Sequence, residues 1–168
     1  MKPTSIKPIV TTLCMATVLS MTACQSFSKT TTTTNPASAV TLPLSDAKLQ
    51  HYTWQLTSVT DKMGNPKAGI LFDKKLPPLQ ISFHKGGRLV FGNTCNNLST
   101  SYILTNDNVI IGEIMSTRML CEPERMQFDD LAPSVLQGQF KLTQGADGEP
   151  VLTVTGDKLI SVFTPYVK

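Results

Sequence analysis

The sequence predicts a mainly antiparallel β domain, either a small barrel or a strongly curved sheet of about eight strands, with one α-helix packed against it. Three observations predict it. Short segments between Thr53 and Phe163 alternate apolar and polar residues with the two-residue period of a half-buried strand. Glycine- and asparagine-bearing turn signals separate them. A single segment, residues 122–138, changes to helical spacing.

Taken in order, "TWQLTSV" is the first strand, with Trp54, Leu56 and Ser58 on one face. "LQISF" places Leu79, Ile81 and Phe83 on one side. "KGG" at 85–87 is the turn into the return strand "RLVFG". "TSYIL" and "NVIIG" flank Asn106-Asp107 as a second hairpin. "EPERMQFDDLAPSVLQG" spaces Phe128, Leu131, Val135 and Leu136 along one helix face. Pro123 suits its first turn, Glu122 and Glu124 its positive end, and Gly138 its stop. Pro133 predicts a kink, or a helix in two parts. "QFKLT", "VLTVT" and "LISVF" are the closing strands, with turns at "ADG" (146–148) and Gly156-Asp157.

The amino terminus is of another kind. Lys2 and Lys7 precede a modest apolar run from Ile9 to Met21, shorter than the ~20 residues of a membrane span. This reads as a signal peptide over residues 1–23. It ends in "MTAC", which resembles a bacterial lipobox and marks Cys24 as the lipidated first residue of the mature chain. Gln25 follows where an aspartate tends to retain lipoproteins in the inner membrane, so the expected location is the outer membrane. Residues 24–48, with a threonine run and two prolines, read as the lipidated cysteine and a flexible linker, and residues 49–168 as the domain. The net charge is +3, but setting aside Lys2 and Lys7 leaves 13 basic against 12 acidic residues, or +1. The domain lacks the basic footprint of a nucleic-acid binder. The expected partners are the membrane, through the lipid on Cys24, and an envelope protein or small apolar ligand.

Of four cysteines, Cys14 and Cys24 belong to the export segment, leaving Cys95 and Cys121. An even count in an exported chain points to a disulfide, with a reduced buried pair as the alternative. Such a bridge contributes about 3.5 kcal/mol in the chain-entropy picture. The rivals lack partners. A cysteine nucleophile needs a base, and the only histidines are His51 and His84, neither in a recognisable setting. A structural zinc site wants paired cysteines, and these two are isolated. No metal and no cofactor are expected. Asn96 and Asn97 read as turn formers after Cys95. Arg118, among Met115, Met119 and Leu120, is expected to pair with Asp129 or Asp130, or to face a ligand. Trp54, Tyr102 and the methionines 115, 119 and 126 read as core.

"GNTCN" at 92–96, "STRMLC" at 116–121 and the helix that follows resemble the META domain family, in particular its HslJ-like heat-shock lipoproteins. "LQHYTWQLTSV" and "PPLQISF" fit as well, so the resemblance covers residues 49–165. Ser99-Thr100 and Asn97 depart from it, standing where a Ser-Gly pair and a basic residue are frequent. The resemblance implies a compact antiparallel β domain with a packed helix. It also implies a non-enzymatic envelope role linked to stress or antibiotic tolerance through protein contacts. The other expectation is a carrier of a small apolar ligand, or an inhibitor of a periplasmic hydrolase such as a lysozyme or protease. The chain carries no H-E-x-x-H, Walker or G-x-S-x-G motif, and no catalytic residue is assigned.

Overall fold

The computed structural model describes residues 40–106 and 108–166. The expected signal peptide, Cys24 and most of the linker therefore lie outside the described residues. So does Asp107, half of the expected Asn106-Asp107 turn.

The chain forms β1 (Thr41–Leu42), α1 (Asp46–His51), β2 (Thr53–Thr60), a 3-10 turn (Gly69–Phe72), β3 (Gln80–His84), β4 (Arg88–Gly92) and β5 (Leu98–Leu104). Then come β6 (Val109–Ile111), β7 (Met115–Ser116), α2 (Pro123–Leu131), a second 3-10 turn (Ala132–Leu136), β8 (Gln139–Gln144), β9 (Pro150–Thr155) and β10 (Ile160–Pro165). Every pairing is antiparallel, in the order β1-β8-β9-β10-β2-β3-β4-β5-β6, with β7 also on β5. The sheet has ten strands and is not closed into a barrel. The two strands beyond the expected eight are the two-residue pieces β1 and β7. β6 and β7 lie in succession along one side of β5, like one strand interrupted at 112–114. At the start of β6, the Asn108 side-chain oxygen accepts from the Phe140 N–H of β8 at 2.7 Å.

The folded body begins earlier than Leu49. β1 pairs with β8, and α1 starts at Asp46 under the N-cap Ser45, whose hydroxyl accepts from Lys48 N. The end of the expected linker is thus part of the fold. The cue was "SDA": a serine cap with an acidic residue in the first turn.

Alternation on β2 breaks once. Phe163 of β10 pairs Leu56, but Val162 pairs Ser58, so Thr57 is an extra residue. This bulge reverses the phase. Val59, not Ser58, joins Trp54 and Leu56 in the core, and the Thr57 hydroxyl donates to the Val162 carbonyl at 3.1 Å. Pro133 divides the helical segment as expected, α2 ending at Leu131 and a 3-10 turn continuing to Leu136. Phe128, Val135 and Leu136 are buried from that segment. They meet one continuous core that includes Trp54, Ile81, Phe83, Leu89, Phe140, Leu152 and Phe163. The Trp54 indole N–H donates to the Leu49 carbonyl at 2.9 Å. The Tyr102 hydroxyl donates to Asp46 of α1 at 2.7 Å and accepts from Gln50 at 2.8 Å, which fastens α1 to the sheet.

Candidate functional site

The features singled out in the sequence converge where the β4–β5 loop, the 115–121 strap and α2 meet. Cys95 and Cys121 are joined by a disulfide with a Cα–Cα distance of 6.5 Å. It ties the loop after β4 to the residue before the α2 cap.

Asn96 stands in a bend of the chain, as expected, but it is buried and also acts through its side chain. Its Nδ2 donates to Asp129 at 3.1 Å. Its Oδ1 accepts from the Met119 N–H at 2.7 Å and from the Thr117 hydroxyl at 3.2 Å. The left-handed conformation falls to Asn93, with φ 67°, and its amide donates to the Pro78 carbonyl. Asn97 is exposed, and its N–H donates to the Thr117 hydroxyl.

Asp129 is the residue that sequence reasoning placed in the wrong partnership. It is only 6% exposed, and its carboxylate accepts from Cys95 N–H at 2.9 Å and Asn96 N–H at 2.7 Å as well as from the Asn96 amide. It does not pair with Arg118. Three N–H donors satisfy the carboxylate in place of a cation, the usual condition for burying one. Among the described residues the ion pair is Lys67–Asp61, far along the chain in the β2–β3 connection. Arg118 is exposed, as is Asp130. The signal for Asp129 was its helical phase, next to the buried Phe128, but no local motif connects it to residue 95.

This network holds the strap through Thr117, the Met119 main chain and Cys121 and leaves its larger apolar side chains exposed. Met115, Met119, Met126 and Leu120 are exposed, Leu120 by 96%. The expectation that the methionines are core is therefore corrected. Met119 has its main chain held by Asn96, Met115 sits on the short β7, and Met126 lies on the exposed side of α2. The strap and α2 border a groove of about 600 Å³ that includes Leu98, Ile114, Met119, Met126, Asp130 and Pro133. Trp54 and Tyr102 are core, as expected. The histidines sit apart from the sulfurs: His51 ends α1 against Tyr52, and His84 ends β3. The carboxylate gathered with Cys95 and Cys121 is Asp129.

One ionisable group near this body is clearly perturbed. Burial, and then the hydrogen bond to Asp46, raise the Tyr102 hydroxyl above its ordinary value of 10.0. Elsewhere, in the turn after β2, Asp61 is held down to about 2, first by the Asn65 side chain and then by backbone N–H groups.

The chain was compared with known proteins. No curated protein matches it. An NMR structure of a protein from Burkholderia xenovorans superposes with a TM-score of 0.55 at 18% identity, covering 76% of this chain and 92% of that one. That likeness concerns the fold alone. A second NMR structure aligns at 24% identity with a TM-score of 0.49, covering 73% of this chain and 95% of that one. The family model described as META domain matches residues 47–164, the span that carries the sheet, the staple and α2. The chain belongs to the META domain family.

Proposed function

We propose that this chain is a non-enzymatic bacterial envelope lipoprotein, lipidated at Cys24 and held at the outer membrane. Its META domain would act in stress or antibiotic tolerance by contacting an envelope protein. The observation that carries this reading is the strap. A disulfide and the Asn96–Asp129 network fix its backbone, while Met115, Met119 and Leu120 stand exposed beside the groove along α2. A preorganised apolar surface loses little conformational entropy on binding, and methionine-rich surfaces adapt to a partner.

The carrier reading loses support from the core. The space enclosed by the curved sheet is occupied by Trp54, Phe140, Phe163, Leu89 and Leu152, all at 2% exposure or less. The inhibitor reading is one form of protein contact and shares the same surface. A photoreactive residue at Leu120, introduced in vivo, is expected to trap a discrete envelope protein, whereas one at exposed Lys141 on β8 is not. Equal labelling from both positions rejects the strap as the contact. Palmitate incorporation that disappears in Cys24→Ser tests the anchor, and a soluble mature chain without lipid rejects it.

A further inference from the structure

We propose that the staple has a second state: once reduced, Cys95, Cys121 and Asp129 form a binding site for a zinc-like, borderline-soft divalent cation. The two sulfurs and a carboxylate oxygen of Asp129 all lie within 4.8 Å of one another. Thiolate and carboxylate are both zinc ligands, and three protein ligands leave a fourth position for water. The motif is invisible in sequence because Asp129 stands 34 residues from Cys95.

The surroundings suit a metal. Asp129 is almost fully buried, and three N–H donors fix its orientation, so the carboxylate is already held in place. Oδ2 is filled by the two Asn96 donors, whereas Oδ1 accepts only from Cys95 N–H and keeps a lone pair for a cation. Such outer-shell hydrogen bonds are what orient metal-binding carboxylates. The Asn96 amide nitrogen also lies 3.8 Å from Cys121 Sγ, where it can donate toward a thiolate. Backbone spacing fits as well. The Cα–Cα distance of 6.5 Å is near the upper end of the disulfide range of about 4.4–6.8 Å. With Zn–S near 2.3 Å, tetrahedral geometry asks for sulfurs roughly 3.8 Å apart. Side-chain rotation at the half-buried cysteines supplies that separation with little backbone movement.

The chemistry balances with a dithiol reductant. Its two thiols pass two electrons and two protons to the disulfide, giving Cys95–SH and Cys121–SH and an oxidised cyclic disulfide on the reductant. A divalent cation then displaces the two thiol protons and joins the Asp129 carboxylate. Bridge and metal compete for the same sulfurs, so the site exists only in the reduced chain.

The test uses the full chain carrying Cys14→Ser and Cys24→Ser, so that only Cys95 and Cys121 can supply thiols. It is reduced with a phosphine and titrated with Co²⁺ and then Zn²⁺. The expected result is one cation per chain, a thiolate-to-cobalt charge-transfer band, and affinity at least tenfold above that of the oxidised chain. Cys95→Ser and Cys121→Ser abolish the band, and Asp129→Asn weakens binding at least tenfold. Near-ultraviolet dichroism of Trp54 monitors folding throughout. A reduced, folded chain that binds no better than the oxidised one overturns the proposal. So does a chain that binds only when unfolded, which Asp129→Asn would then leave unchanged.

Discussion

Asp129 shows how much one side chain can organise. Its carboxylate is the shared acceptor for the N–H groups of Cys95 and Asn96 and for the Asn96 amide. Truncation to alanine strands those donors, and each buried unsatisfied group costs about 1–3 kcal/mol. We expect Asp129→Ala to lower stability by at least about 3 kcal/mol in urea denaturation. Asp129→Asn should cost less, because its oxygen can still accept while its amide opposes other donors. Arg118→Ala, by contrast, should leave stability within about 0.5 kcal/mol, as for an exposed side chain with no ion-pair partner among the described residues. Two other residues set pH behaviour. Tyr102 has a raised folded-state pKa, so its stabilising contribution is complete below pH 10.0 and is lost as the pH rises through that higher value. An absorbance titration of the native protein should show a late tyrosinate step that Tyr102→Phe removes. Asp61 is the opposite case: its contribution is full above 3.8 and fades as the pH falls through about 2. Stability measured across that acid window should fall less steeply for Asp61→Ala than for the parent chain.

At the scale of elements, the disulfide, the strap and the junction after α2 each make a separate demand. Without reductant, thiol titration of the folded domain should find no free sulfhydryl at 95 or 121. Replacing both cysteines by serine should cost about 3.5 kcal/mol in the chain-entropy estimate, read as a lower urea midpoint. Gly138 has φ 151°, and a Cβ there would press on the backbone of Thr155 and Gly156. Gly138→Ala should therefore destabilise by about 1–3 kcal/mol, because backbone rather than a flexible side chain must give way. Much at this scale was legible. Strand alternation, the "KGG" turn, the division at Pro133 and the apolar face of α2 follow from local pattern. The exceptions have physical causes. Thr57 is a bulge set by cross-strand register, which no single segment encodes. The helix α1 is short and hidden in a low-complexity context. The methionines look like core by composition, yet the strap is pinned through its main chain at Met119 and they stand exposed.

For the molecule as a whole, the sequence made the sheet and its helix readable but not whether the sheet closes. Closure depends on how β6 meets β8, strands that lie far apart in the chain. Among the described residues, the Asn108 side chain reaches across that gap and accepts from Phe140 N–H. The candidate site was legible in part: both cysteines and Asn96 stand in it, while its carboxylate and exposed apolar rim emerge only when three separate segments are folded together.

The position of β10 between β9 and β2 carries a consequence for assembly. β2 is the first long strand of the domain and β10 the last strand, yet they are neighbours. A chain that emerges amino terminus first can pair β2 with β3 at once, but its other edge stays bare until Ile160–Pro165 arrives. Throughout that interval it exposes an unpaired strand edge, the kind of surface that recruits wrong partners. Synthesis from the amino terminus therefore leaves the sheet open at its middle until the final strand docks, and an arrest just before Ile160 should yield an aggregation-prone intermediate rather than a slightly shortened domain.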